Sequence, residues 1–426
     1  MQVFLSDVHL TDGSSGQTIN AGAFRVFADN LKALVKSVKQ KSTVAELKIV
    51  LLGDIFDVIR STRWLDEEEV RPWSDAGPAQ EKAVLGIVKG ILTNPENKKS
   101  LAYLRSLSQF ARREKIDFEL QYVMGNHDWL INRYPQCSKR VAAALGMSLA
   151  GSLPPFPSEV FDPAYRTLAR HGDIYDKLNY MGNRDQSSIG DAIVVELLNR
   201  YPTEAERELN GLVAAGTLTA AERDRIVGDL REIDNIRPLL DAPSWILMVS
   251  NRTENDSARR AIQDAWQRCV DDFFKVPFIR KMDKPFWPDA IDMLQIALQL
   301  SSHVSKRVLE TVVELKDKFL PTSLEGDYHK KAFAEAKVSS GEADFVLYGH
   351  THNHLIVPMD QVPLSHASPR DRVYFNTGTW RQTWNKAAFS PAHREFIGWK
   401  VLTYVAFYNE DENHDYSFEV WNGALG

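Results

Sequence analysis

Six short motifs follow one another along the chain, and each carries side chains able to bind a divalent cation or activate water. They are Asp7-Val8-His9, Gly53-Asp54-Ile55-Phe56-Asp57, Gly125-Asn126-His127-Asp128, His171-Gly172-Asp173, Gly349-His350-Thr351-His352 and Asn376-Thr377-Gly378. Asp7, His9, Asp54, Asn126, His171, His350 and His352 supply two carboxylates, one carboxamide and four imidazoles, with His127 to spare. Imidazole and carboxylate without thiolate suit Mn²⁺, Fe or Zn²⁺ at a reactive centre better than a closed structural zinc site. Two such cations can acidify a shared water and clamp a phosphoryl group. Set against Asp7, Asp54 and one hydroxide, two dications leave a formal charge of about +1, which favours phosphate. Each motif alone is weak, because D-x-H or H-G-D often arises by chance; the ordered set is strong.

The elements that must position these residues are legible as apolar runs. Val3-Phe4-Leu5, Ile49-Val50-Leu51-Leu52, Leu120-Gln121-Tyr122-Val123 and Phe345-Val346-Leu347-Tyr348 each precede a motif and suit buried strands. Helical text lies between them, over 24–38 and 79–92. Strand alternating with helix predicts an α/β fold with the motifs in loops at the strand ends. Side chains two apart on an extended segment point the same way, so Asp7 and His9 are expected to reach one metal from the end of the first strand, and His350 and His352 each to face the centre from another strand end. The glycines ahead of Asp54, Asn126 and His350 are expected to make sharp turns.

From Ile189 to about Lys337 the periodicity becomes helical. Ile189, Ile193, Leu197 and Tyr201 form one apolar stripe, and Val304, Val308, Val312, Leu315 and Phe319 another. Thr203-x-x-Glu206 and Thr219-x-x-Glu222 match the capping box, and Gly216 suits the end of a first helix, so a helical hairpin is predicted. The organisation expected is a core in two parts, 1–188 and 341–426, interrupted by a helical insertion over 189–340. Strand-like text at 399–408 and 416–421 is expected to complete a second sheet. The Gly- and Ser-rich loop from Thr11 to Gly22 is expected to be mobile near the site.

A chain of 426 residues suits one large domain with an insertion, or two domains. A net charge of −6 offers no footprint for nucleic acid. Two cysteines, Cys137 and Cys269, make no disulfide framework. The first motif begins too early to follow a signal peptide, and no apolar run has the length of a membrane span. A cytoplasmic protein is the expectation, with peripheral membrane contact left open. Phe273 to Met282, followed by Phe286-Trp287, mixes aromatic and cationic residues; a lid packed on its own helices is favoured over a membrane interface. Trp380 and Trp384 are read as core rather than as a wall of the site. His354 is read as a rim residue.

The order and content of the motifs resemble the calcineurin-like metallophosphoesterase superfamily, whose pattern is D-x-H, G-D-x-x-(D), G-N-H-(D/E), H and G-H-x-H. The match covers 1–176 and 341–380 and leaves the helical insertion out. The resemblance implies an α/β, four-layer metallophosphoesterase-type β-sandwich flanked by helices, with a dinuclear site at one sheet edge. It implies that Asp7, His9 and His352 bind one metal and Asn126, His171 and His350 the other, with Asp54 bridging. His127 then protonates the leaving oxygen or stabilises the transition state, and Asp57 orients it, with Asp128 the second candidate for that role. Met181-Gly182-Asn183-Arg184-Asp185 imitates a G-N-R-D form found in a related subgroup; Arg184 there could grip a substrate phosphate or sit in a surface salt bridge.

The activity implied is metal-dependent hydrolysis of a phosphate ester, Mn²⁺ being the first choice of metal, with the helical insertion selecting the substrate. Gly-Asp-x-x-Asp lacks the Arg-Gly that follows in protein Ser/Thr phosphatases. The text around Asp7 and Asp54 looks closer to bacterial phosphodiesterases and to UDP-diacylglucosamine pyrophosphatases of lipid A synthesis, although the latter carry G-N-R-D and a shorter insertion. Double-strand-break repair exonucleases share Gly-Asp-Ile-Phe-Asp and Gly-Asn-His-Asp, but the acidic balance weighs against them. A phosphorylated small-molecule or lipid-linked substrate is therefore expected. A non-catalytic module that merely holds metal is disfavoured by His127 beside a full ligand set.

Overall fold

Alternation along short apolar strands decides how this chain layers. The computed structural model describes residues 1–66, 70–147, 154–282, 327–362, 369–387 and 395–424. Among them run β1 (Gln2–Leu5), β2 (Glu46–Leu52), β3 (Asp117–Val123), β4 (Glu159–Asp162), β5 (Thr167–Arg170), β6 (Phe345–Tyr348), β7 (His354–Val362), β8 (Arg370–Thr377), β9 (Gln382–Lys386), β10 (Phe396–Phe407) and β11 (Phe418–Ala424). They form two mixed sheets, one ordered β11-β10-β1-β2-β3 with β9 beside β10, the other β4-β5-β6-β8-β7. β1, β2 and β3 are parallel, as are β5, β6 and β8.

Phe4, Val50, Leu52, Val123, Val405 and Phe407 of the first sheet meet Ala169, Leu347, Val373 and Phe375 of the second in one buried cluster, so the sheets pack face to face. Their neighbours in sequence point the other way. Val3, Leu5, Ile49, Leu51, Leu402 and Tyr404 join a cluster with helices instead. The β10 and β11 text was expected in the second sheet. It belongs to the first, because β1 has an edge away from β2 that β10 fills antiparallel. β10 alternates residues that suit both of the sheet's faces.

On that outer face lies α1 (Ala21–Lys39), whose start is capped by the Asn20 side chain accepting from Gly22 N. Its Phe24, Phe27, Leu31 and Val35 recur at helical spacing and are buried. Phe24 and Phe27 pack on fully buried Trp380 at 5.0 and 5.3 Å, which makes Trp380 core, as expected. Pro78–Thr93 and Pro95–Glu114 are further helices on this side. Two short helices, Tyr328–Phe333 and Ala336–Ser339, cover the outer face of the second sheet through Tyr328, Ala332 and Val338.

The described residues from Ile189 to Met282 form helices and turns, apart from one isolated β-bridge between Ile236 and Trp384. Ile189–Ile193 is α-helical, Val194–Asn199 adopts the wider π form, and Arg200–Ala214 is α-helical again. Every residue from 189 to 199 is buried, so the expected stripe of four is part of an all-round buried helix rather than one face. Thr203 and Glu206 make no capping box. The helix already runs through them, and the Thr203 hydroxyl donates to Asn199 O one turn back. The box at Thr219 and Glu222 is present, and Gly216 takes φ +73° between the paired helices. Phe273 and Ile279 are buried and Phe278 stacks on Trp73 at 5.2 Å, so the apolar side chains of this aromatic-cationic segment pack inward. The stripe at 304–319 and Phe286-Trp287 lie outside the described residues. No described helix is long and apolar enough to cross a membrane, and Cys137 and Cys269 are buried free thiols.

Candidate metal centre

The motif loops leave the carboxyl ends of β1, β2, β3, β5 and β6 and are laced together by backbone bonds. His9 N donates to Asp54 O at 2.9 Å and Leu10 N to Ile55 O at 2.8 Å, extending the β1–β2 pairing past the strand ends. Gly349 N donates to His171 O at 2.9 Å, which ties the second sheet's two loops. Thr379 Oγ1 donates to Asp7 O and Asn376 Nδ2 to Gly349 O, each at 2.7 Å, so the last motif and the residue after it prop up two others. The Thr11–Gly22 loop is anchored: Ser15 Oγ donates to Arg60 O and Thr11 Oγ1 to Gly16 O.

Backbone strain gathers here. Seven described non-glycine residues have positive φ, and Asp7 (49°), His9 (51°), Asp54 (54°), His350 (68°) and His352 (61°) are five of them. The left-handed region costs such residues about 1–2 kcal/mol each, and it persists where surrounding structure over-determines it. The paired ligands therefore do not converge by strand alternation. β1 ends at Leu5 and β7 begins only at His354, and left-handed turns aim the side chains between. The glycine expectation changes in the same way. Gly53 has φ +82°, but Gly125 and Gly349 are needed for space: a Cβ there would lie 2.2 Å from Asp54 Oδ1 and 2.3 Å from Asp7 Oδ2.

His352 Nε2 lies 3.3 Å from Asp7 Oδ1 and 3.0 Å from His9 Nε2. Donors spaced about 3.4 Å apart are what a tetrahedral cation with ~2.1 Å bonds gathers, so this trio fits one. His171 Nε2 lies 3.2 Å from Asp54 Oδ2 and 3.1 Å from Asn126 Oδ1, and His350 Nδ1 is 3.0 Å from that same carboxamide oxygen. Asp54 Oδ2 is also 3.9 Å from His9 Nε2, so this carboxylate stands between the two groups. Asp7, His9, Asp54, Asp57, His171 and His352 are all buried, and as Asp/His clusters they could hold a metal ion.

Electrostatics match that use. Burial, then the charge of Arg237, pulls His352 down to about 3, leaving a neutral ring with a lone pair to give. Burial opposes charge on His171, but Asp54 and Asp7 overcome it and push the ring up to about 10. Burial likewise opposes ionisation of Asp54, and His171 and His127 win, holding it well below the usual range. A raised histidine favours the metal-free fold below its unfolded value, near 6.5, and that contribution is lost as pH rises through about 10. A cation competes with that proton. Metal affinity is therefore expected to rise with pH between those limits, with proton release that calorimetry in two buffers of different ionisation enthalpy would detect. Uptake without proton release would contradict it.

His127 stands beside these groups and its side chain stays 16% exposed, unlike the buried rings of His9 and His171. Asp57 receives Nδ1 of His127 on one oxygen and Nδ1 of His9 on the other, both at 2.9 Å. Asp57 thus orients two imidazoles, one more than expected. Asp128 does not share the role. It accepts from Ile55 N at 3.1 Å, Gly125 N at 2.6 Å and the Tyr122 hydroxyl, which makes it the brace of the Asn126 loop. Burial and the Asp54 charge push its carboxyl up to about 7.

Arg184 commits its guanidinium to the buried carboxylate of Asp173, one bond measuring 2.8 Å, so the expected phosphate grip is not its resting state. Other residues escaped the sequence reading. Asp176 Oδ2 receives His350 Nε2 at 3.0 Å, which leaves Nδ1 toward Asn126. Arg237, from the helical segment, donates to His352 Nδ1 at 2.8 Å. Asp234 binds Arg60 at 2.5 Å and Arg381 at 3.1 Å. Nothing in the motif spacing pointed to Asp176 or to the arginines. Asp176→Ala is expected to weaken metal binding about 10- to 100-fold, as removal of a ligand's hydrogen-bond partner does, read by equilibrium dialysis. Unchanged affinity would mean His350 is no ligand.

No family model matches this chain, and no curated protein matches it.

Proposed function

We propose that this chain is a phosphoesterase that uses two divalent metal ions, Mn²⁺ foremost, with Fe or Zn²⁺ as alternatives. The observation that carries the reading is the meeting of six other expected ligands from both sheets around Asp54, with the accessible His127 held on Asp57 beside them. Asp7, His9 and His352 would hold one cation and Asn126, His171 and His350 the other, Asp54 serving both. Bound there, the cations would acidify water and neutralise the phosphoryl oxygens. Asp57 engages Nδ1 of His127 and so fixes Nε2 as the nitrogen that delivers a proton to the leaving oxygen. The face-to-face sheets with helices outside are the layering that a metallophosphoesterase β-sandwich requires, with 1–188 and 341–426 as its two parts. Of the expected insertion 189–340, the described helical residues 189–282 are then the cap, supplying Arg237 to the site and selecting a phosphorylated small-molecule or lipid-linked substrate, while Tyr328–Phe333 and Ala336–Ser339 belong with the second sheet.

The test is chelation followed by titration with Mn²⁺, Fe²⁺ or Zn²⁺, assayed on chromogenic monoesters and diesters alongside calorimetric metal binding. Metal-dependent turnover is expected. Tight metal binding with no hydrolysis of any ester would leave a metal-holding module and end the proposal.

A further inference from the structure

We infer that a cleft beside His352 is a subsite for an uncharged nucleoside group carried by the phosphate substrate, with Trp399 as its stacking platform. The inference rests on the phosphoesterase reading for its phosphate, and on the cleft itself for the nucleoside. The cleft measures about 250 Å³, and His352, a proposed ligand, forms part of its wall. A group bound here would therefore lie against one of the proposed ligands. Drug-sized ligands begin at roughly 300 Å³ of pocket, so this volume suits one ring system and part of its sugar rather than an acyl chain.

The wall's chemistry narrows the occupant. Trp399 is 60% exposed, yet its Nε1 donates to Asn385 Oδ1 at 3.0 Å, so the ring is oriented by its edge while much of its surface stays open. A held but uncovered indole is a platform for a flat ring. Arg381 is the one formal charge among the described residues lining the cleft, and Asp234 takes it up at 3.1 Å. No second phosphate or ammonium is called for. Asn422 and Thr383 line the same space and offer both donors and acceptors, as the edge of a base requires, while Asn385 is held between Trp399 Nε1 and Arg237 O. Asn422 Nδ2 lies 3.4 Å from His354 Nδ1 on the same wall, which ties these two side chains of the cleft together.

The experiment measures binding and turnover separately. Binding of uridine and adenosine monophosphates, glucose 1-phosphate and inorganic phosphate to the Mn²⁺-loaded protein is followed by calorimetry for wild type, W399A, W399F and N422A. In parallel, kcat/KM for a nucleoside 5′-p-nitrophenyl phosphate is compared with that for methyl p-nitrophenyl phosphate. W399A is expected to weaken nucleoside monophosphate binding about tenfold relative to inorganic phosphate and to lower the nucleoside-to-methyl ratio similarly, while W399F keeps most of both. Equal losses for phosphate and nucleotide, no loss at all, or the same Trp399 dependence for glucose 1-phosphate would overturn the assignment. Trp399-dependent nucleotide binding without turnover would instead remove the phosphoesterase reading and leave the subsite standing.

Discussion

Asp54→Asn is expected to abolish metal-dependent hydrolysis, lowering kcat/KM about 10³-fold or more, equal to about 4 kcal/mol of transition-state stabilisation. The substitution preserves shape, so its effect isolates charge and acceptor capacity. Asp54 Oδ2 lies 3.2 Å from His171 Nε2 and 3.9 Å from His9 Nε2, one nitrogen from each ligand group. A neutral amide there removes one of the two ligand carboxylates that would offset four positive charges. Its NH2 would also turn a donor toward nitrogens that now find an acceptor. The other oxygen accepts from His127 N at 2.9 Å, so the single carbonyl oxygen of the variant can keep that bond or face the histidines, but not both. Metal content should fall with activity, and the melting temperature of the metal-free protein provides the control for folding. A variant that keeps more than about a tenth of wild-type turnover would remove Asp54 from the centre of the reaction.

That so much of this site could be read from the chain follows from the physics of its parts. A ligand's type is written in the sequence, and a β-branched or aliphatic run before it states that a strand delivers it; hence Asp7, Asp54, Asn126 and His350 were placed at strand ends. Convergence is a different matter. It depends on left-handed backbone at Asp7, His9, His350 and His352, and although Asp and His enter that region more readily than most residues, so weak a preference does not single out these positions. Strand alternation gave the right meeting point by the wrong geometry. Gly125 and Gly349 were legible as glycines but not as clearances for Asp54 and Asp7, since those contacts cross loops far apart in sequence. The same holds for Arg237 and Asp234. They arrive at the site from a segment whose text is amphipathic helix, and contacts distant in sequence fix them there, among them Arg237 N with Trp384 O at 2.9 Å and Asp234 with Arg60 and Arg381. Thr203 shows the converse error, a correct local signal overruled because the preceding buried π-turn already carries the helix through it.

His127→Ala is the second large effect, an expected loss of about 10²- to 10⁴-fold in kcat, the range for removal of a positioned general acid. Burial works against charge on this ring, yet the carboxylates of Asp57 and Asp54 raise it to about 10, so its proton is retained at neutral pH. Because His127 is not counted among the ligands, metal uptake should be unchanged, which separates this variant from Asp54→Asn. Asp57→Asn should behave as a hybrid. Its carboxylate holds Nδ1 of His127 and of His9 alike, so both proton delivery and metal affinity suffer, and in a double mutant with His127→Ala the kcat losses should fall well short of additive. The leaving group supplies the sharper discrimination. A p-nitrophenolate departs without help, whereas an alkoxide needs a proton as the bond to phosphorus breaks. His127→Ala should therefore cost little with p-nitrophenyl esters and its full amount with alkyl esters, steepening the dependence of rate on leaving-group pKa. A loss of the same size across that series would show that His127 acts by charge on the phosphoryl oxygens and transfers no proton.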